Sequence, residues 1–175
     1  MRCFVALELP DEFADDVAAL ARVLERHIDG RFMPRDNYHL TLAFLGDVGE
    51  DGAARAIRAL DEACRGRGPV PLVADGLGRF GRGNDATLWL GIRQTDAVMS
   101  LAADVRSALL DEGVTFDETA FKAHITLARR ARLPREPLPN LPFPADAEAT
   151  RVTLFRSFLD AQGATYKPLY TTELV

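Results

Sequence analysis

Apolar residues recur along this chain with two periods, and the period separates strand from helix. In YHLTLAFLG, Tyr38 to Gly46, strict alternation puts His39, Thr41 and Ala43 on one face and Leu40, Leu42 and Phe44 on the other, because successive strand side chains point to opposite sides. A core would then take Leu40, Leu42 and Phe44, leaving His39 and Thr41 side by side on the other face. Spacings of three and four instead predict helices through Phe13, Val17, Leu20, Val23 and Leu24, and through Val98, Leu101, Val105, Ala108 and Leu109. Pro10 with Asp11, and Thr95 with Asp96, supply start signals, while Gly30 and Gly113 supply stops. A third helical run covers Asp51 to Cys64. CFVAL (3–7), LWLGI (88–92) and the segments 70–79, 150–159 and 166–174 predict further strands. The first and last of those three segments carry prolines, which favour strand ends or edges.

The chain repeats itself. HLTLA at 39–43 returns as HITLA at 124–128, an offset of 85 in 175 residues. With that offset held, CFVAL lies over LWLGI, Asp11 over Asp96, Leu20 over Val105 and Leu24 over Leu109. Each half reads strand, helix, then a strand bearing His-x-Thr. The expected fold is α+β: a bilobal, pseudo-twofold, duplicated arrangement whose two antiparallel sheets face a central cleft with helices on the outside. The whole of 1–175 forms one domain of two interleaved pseudo-symmetric lobes in this expectation. Two of the three histidines fall in the same slot of that repeat, which marks His39 and His124 as functional. His27, at the end of the first helix, is the histidine without an assigned role.

Composition narrows the functional classes. No run reaches the roughly 18 to 20 apolar residues of a membrane span, and MRCFVALELPDEF meets Pro10, Asp11 and Glu12 too early for a signal peptide. A cytoplasmic protein is therefore expected. Cys3 and Cys64 lack CxxC spacing and suggest neither a zinc site nor a redox pair. The formal net charge of −5 argues against coating nucleic acid by bulk electrostatics. Arginines nevertheless cluster in RGRG (65–68), GRFGRGND (78–85) and LARRARLPRE (127–136), and would make a phosphate-attracting mouth if those loops met at one end.

Two His-x-Thr strands related by a pseudo-twofold axis bring two imidazoles to one small site. Histidine titrates near neutrality, so one ring can act as general base and the other as general acid. Thr41 and Thr126, two residues along on the same face, offer hydroxyl donors to phosphate oxygens. Arg129, just after the second motif, can add a charge-assisted contact to the same phosphate. Metal is the rival chemistry, but two histidines fill only half of a tetrahedral shell, and no third His, Cys or close acid accompanies either motif. No G-x-S-x-G elbow occurs, and GLGRFGRG (76–83) lacks the GK[ST] ending of a P-loop, so neither a serine hydrolase nor ATP is suggested. No metal and no cofactor is expected.

The paired HLTL and HITL, the opening RCFVALELP, the approach RFMPRDNYHLTLAFLG and the closing LFRSFLDAQGATYKPLYTTELV together resemble the bacterial and archaeal RNA 2′,3′-cyclic phosphodiesterases. These belong to the two-histidine phosphoesterase superfamily and were once described as 2′–5′ RNA ligases. The resemblance spans essentially the whole chain. It implies hydrolysis of an RNA 2′,3′-cyclic phosphate end to a 2′-phosphomonoester. His39 would protonate the leaving 3′ oxygen, His124 would activate water, and Thr41, Thr126 and Arg129 would hold the phosphate. The implied partner is RNA with such an end, tRNA fragments included, and the protein would act as a monomer. Three departures touch substrate preference: Phe32 where the family often has Trp, Pro34-Arg35 where it has Arg-Pro, and Ala123 where it has Pro before the second histidine. Phe32 is a candidate for stacking on a base or for the core. An RNA end-joining enzyme using the same groups in reverse, and an RNA-end binding module, are the alternative functions.

Overall fold

The two apolar runs that match across the repeat each lie inside an antiparallel sheet of the computed structural model, which describes residues 1–175. The chain runs β1 (Arg2–Glu8), α1 (Asp11–Glu25), β2 (Asp29–Phe32), a 3-10 turn (Arg35–Asn37), β3 (His39–Asp47), α2 (Glu50–Cys64), β4 (Val70–Leu72), β5 (Ala74–Phe80), β6 (Ala86–Ile92), α3 (Asp96–Asp111), β7 (His124–Arg132), β8 (Ala147–Ala149), β9 (Arg151–Asp160) and β10 (Gly163–Glu173). One sheet has the order β10-β9-β1-β3 and the other β2-β7-β6-β5, with β4 and β8 forming a small ribbon. The triplets β9-β1-β3 and β5-β6-β7 match, so the bilobal α+β arrangement expected from the repeat is the one observed. The lobes exchange chain: β9 and β10 complete the sheet of β1, while β2 joins the sheet of β6. Cys3 to Leu7 of β1 are buried on both faces, which is why that strand reads as an unbroken apolar run.

The helices follow their spacing. Val17, Leu20 and Leu24 of α1, and Val98, Leu101, Val105 and Leu109 of α3, are fully buried. α2 packs on α3 and along β9 and β10, α3 also reaches β3, and α1 lies against β2. Thr95 caps α3, its Oγ1 accepting the Val98 N–H at 3.3 Å. Pro10 offers no side-chain bond, and α1 begins instead with Asp11 and Glu12 at its positive end. Gly113 ends α3 with a φ of 74°. Gly30 does not end α1, which stops at Glu25 with Arg26 as its cap. Gly30 lies in β2, where an added Cβ would come within 3.1 Å of Ala131 Cα; it serves the close approach of two strands. Pro71 sits in the β4–β8 ribbon and Pro168 in the edge strand β10, where the register shifts between Pro168 and Tyr170. Cys3 and Cys64 are buried free thiols. No helix is long and apolar enough to cross a membrane.

β3 breaks the parity that its sequence suggests. Val5 of β1 pairs with Ala43 but Ala6 pairs with Thr41, which makes Leu42 an extra residue; a second falls at Leu45, between the pairs Cys3–Gly46 and Phe4–Phe44. Each such bulge exchanges the two faces of the strand beyond it. Ala43 therefore turns into the core at 0% exposure and Phe44 turns out of it at 51%. The expected assignment of Phe44 to the core fails for that reason. β7 repeats the device: Leu88 pairs with Ala128 and Trp89 with Thr126, leaving Leu127 as the extra residue, the counterpart of Leu42. Its second irregularity lies near Arg130, whose φ is 50°.

Candidate active site

Each motif histidine opens its strand and is held by the carbonyl two residues before it. His39 Nδ1 lies 2.8 Å from Asn37 O, and His124 Nδ1 lies 2.6 Å from Lys122 O. A carbonyl only accepts, so Nδ1 carries the proton in both rings and Nε2 is the nitrogen left free. Asn37 and Lys122 are repeat counterparts, so the duplication extends to the tautomer. Aromatic packing fixes the ring planes. His39 stacks on Phe4 with centroids 4.7 Å apart and meets the edge of Tyr166 at 5.2 Å. His124 lies 5.7 Å from Trp89, the counterpart of Phe4, and 5.1 Å from Phe80.

This apolar setting disfavours the imidazolium. Burial pulls the His39 pKa down to about 4 against the opposing pull of the Asn37 carbonyl, with Arg129 and His124 lowering it further. His124 is lowered too, first by burial and then by the nearby Lys122 and Arg129 charges, with the Lys122 carbonyl opposing. Both rings are neutral at pH 7 in this structure.

Arg129 stands five residues after His124, an odd offset that would send it to the opposite face of a regular strand. The bulge at Leu127 reverses that parity and returns Arg129 to the histidine face. The same step in β3 delivers Phe44. One cleft of about 550 Å³ is lined by His39, Thr41, His124, Thr126 and Arg129, so all five candidates from the sequence meet there. Phe44, Asp117, Tyr166 and Arg2 also line it. None of these four carries a motif; only the repeat could have singled out Phe44, as the residue 85 before Arg129.

A bulge leaves backbone groups without ladder partners, and here both are satisfied. Leu127 O accepts the Met33 N–H at 2.8 Å. Leu42 O accepts Arg106 Nε–H at 3.0 Å. Arg106 is a residue that sequence reasoning missed, because a polar position on an amphipathic helix reads as solvated surface.

Other expectations separate from the cleft. Of the three arginine-rich loops, only 127–136 sends a side chain to its lining, Arg129. Arg67 is bound to Ser100 and Asp104 of α3, and Arg65 to Glu62 at 2.8 Å, so the 65–68 loop belongs to the helical side and no common basic mouth forms. Phe32 pairs with Ala128 and packs against the core. His27 is exposed beyond the end of α1. No group of three or more His, Cys, Asp or Glu side chains gathers in an arrangement able to hold a metal ion.

The model of the family described as LigT like Phosphoesterase matches residues 7–89. An RNA 2′,3′-cyclic phosphodiesterase of Escherichia coli is 31% identical over 169 residues, covering 96% of this chain and 93% of its own. One from Thermotoga maritima is 29% identical over 176 residues, covering 97% and 94%. The crystal structure of E. coli LigT complexed with 3′-AMP superposes with a TM-score of 0.80 at 32% identity, covering 99% of this chain and 97% of that one.

Proposed function

The chain belongs to the LigT-like phosphoesterase family, and from that membership and the cleft we propose that it hydrolyses the 2′,3′-cyclic phosphate at an RNA end to a 2′-phosphomonoester, by acid and base catalysis from two histidines without metal. The observation that carries this reading is the pair of equivalent imidazoles, each fixed through Nδ1 with Nε2 left for one shared cleft. Thr41, Thr126 and Arg129 bind the phosphate oxygens, the guanidinium stabilising the charge that grows on them in the transition state. His124 Nε2 takes a proton from water as its oxygen attacks phosphorus. The bond to O3′ breaks as His39, starting as the imidazolium, donates its Nε2 proton to that oxygen, which leaves His39 neutral and His124 protonated. A proton donor at His39 requires the bound anion to raise that ring's pKa from about 4 toward neutrality, and a phosphate held between the two threonines and Arg129 is such a charge. Both motifs and Arg129 come from one chain, which supports a monomer of one domain acting on RNA ends such as those of tRNA fragments.

The test is incubation with an RNA ending in a 2′,3′-cyclic phosphate, in EDTA and without nucleotide. A 2′-phosphate terminus is the expected product. Loss of turnover in EDTA that only a divalent ion restores would overturn the metal-free mechanism.

A further inference from the structure

The two motif strands are protected unequally. β7 is an interior strand: β2 runs beside it, with Phe32 opposite Ala128 and the Met33 N–H on Leu127 O. β3 is the last strand of its sheet and has no such neighbour. The positions 85 residues after Phe32 and Met33 are Asp117 and Glu118, in the loop between α3 and β7. Asp117 still behaves as a strand residue would, its N–H donating to Phe44 O at 2.8 Å. The chain then turns away, with Asp117 Oδ1 accepting the Thr119 N–H at 2.9 Å and the Thr119 hydroxyl at 2.6 Å. The next backbone donor in the ladder is therefore lost, and the carbonyl of Leu42, a residue with no exposed surface, receives Arg106 Nε–H in its place.

The same guanidinium does more than fill that gap. Its NH1 donates to Thr119 O at 2.8 Å, and its plane is flanked by the rings of Phe116 and Phe121 at 5.4 and 5.7 Å. Thr119 lies three residues before Lys122, whose carbonyl orients His124. One side chain thus grips the bulge immediately after Thr41 and the segment that aims the second histidine. α1 has no counterpart, since the matching position is Ala21.

We propose that Arg106 is a positioning residue for this reaction: its guanidinium replaces the missing edge-strand donor at Leu42 and fixes both His-x-Thr motifs in register with each other. The proposal rests on the hydrolytic reading above, which turnover by the wild type tests separately. A planar fork serves two carbonyls at once, whereas an ammonium on a flexible stem serves one point.

The experiment measures kcat and KM on a nucleoside 2′,3′-cyclic phosphate for Arg106→Ala and Arg106→Lys, at temperatures where circular dichroism shows each variant folded. A displacement of about 1 Å in reacting groups costs on the order of a hundredfold. Arg106→Ala should therefore lose roughly ten- to a hundredfold in kcat, and Arg106→Lys should recover little of it. Millimolar methylguanidinium should restore a substantial part of the Arg106→Ala rate while leaving the wild type unchanged, a result that loss of stability alone cannot produce. A kcat within twofold of wild type in the folded Ala variant would overturn the proposal. So would a loss that the ion does not relieve, or failure of both variants to fold at any temperature, which would make Arg106 a residue of the fold alone.

Discussion

β3 and β7 carry the same motif, the same bulge and the same anchored imidazole, but one is an edge strand and the other is interior. What they share is the placement of two Nδ1-anchored imidazoles in one cleft. Their differences lie at the residues around that geometry. The slot that the bulge turns into the cleft holds Phe44 in β3 and Arg129 in β7. The orphaned carbonyl is satisfied by a side chain at Leu42 and by backbone at Leu127. A duplicated frame thus keeps its paired imidazoles symmetric while one copy of a neighbouring position presents charge and the other an apolar face.

The largest effects should come from breaking what the strands share. His39→Ala and His124→Ala should each lower kcat by about 10²- to 10⁴-fold, and the double variant should be little worse than either, as expected of two rings acting as one unit. A phosphodiester with a nitrophenolate leaving group, which needs little protonation, should rescue the variant lacking the proton donor, assigned to His39. Rescue of His124→Ala would exchange the two roles, and near-normal kcat in either single variant would remove the mechanism.

Next in size is the slot where the strands differ. Arg129→Ala should cost roughly a hundredfold in kcat/KM even on a mononucleotide substrate, as expected for a donor aimed at developing charge. Phe44→Ala should change kcat by no more than about threefold, since its ring brings no charge to the phosphate. Equal losses at the two positions, measured on the same substrate, would show that the slot does the same work in both strands.

The carbonyls give a smaller effect on stability. Arg106→Ala and Met33→Pro each strand one buried acceptor, at Leu42 and at Leu127, and each should cost about 1 to 3 kcal/mol in urea denaturation. Because β7 is enclosed by β2, Met33→Pro should be the more damaging; the reverse order would mean that the edge position is the more constrained of the two.

The remaining effect is on the pH dependence of stability. An unfolded chain takes up a proton on each histidine near pH 6.5, whereas burial delays this for His39 in the fold to about 4. Between those values the unfolded state binds more protons, so stability is complete above about pH 6.5 and falls as pH drops toward 4. His39→Gln and His124→Gln should each flatten this slope of Tm against pH relative to wild type. An unchanged slope in both would show that the aromatic packing does not hold the rings neutral.

The repeat, the helices and the identity of the paired groups are legible in the residues alone. These are readable because periodicity and recurrence are local: Val98, Leu101, Val105 and Leu109 share a face whatever lies opposite, and His39 and His124 share a slot however the halves pack. The resemblance to two-histidine phosphoesterases was legible for the same reason. Which face each later residue takes is set by strand pairing, because a bulge is defined only against the partner strand that it fails to match. That is why Phe44 left the predicted core, why Ala43 entered it, and why Arg129 reached the cleft despite an odd offset from His124. Strand pairing likewise made Gly30 a close-packing residue instead of a helix stop and gave Arg106 its carbonyl, while helix packing drew Arg67 to α3. Each of these outcomes depends on a neighbour distant along the chain, and no local pattern records it.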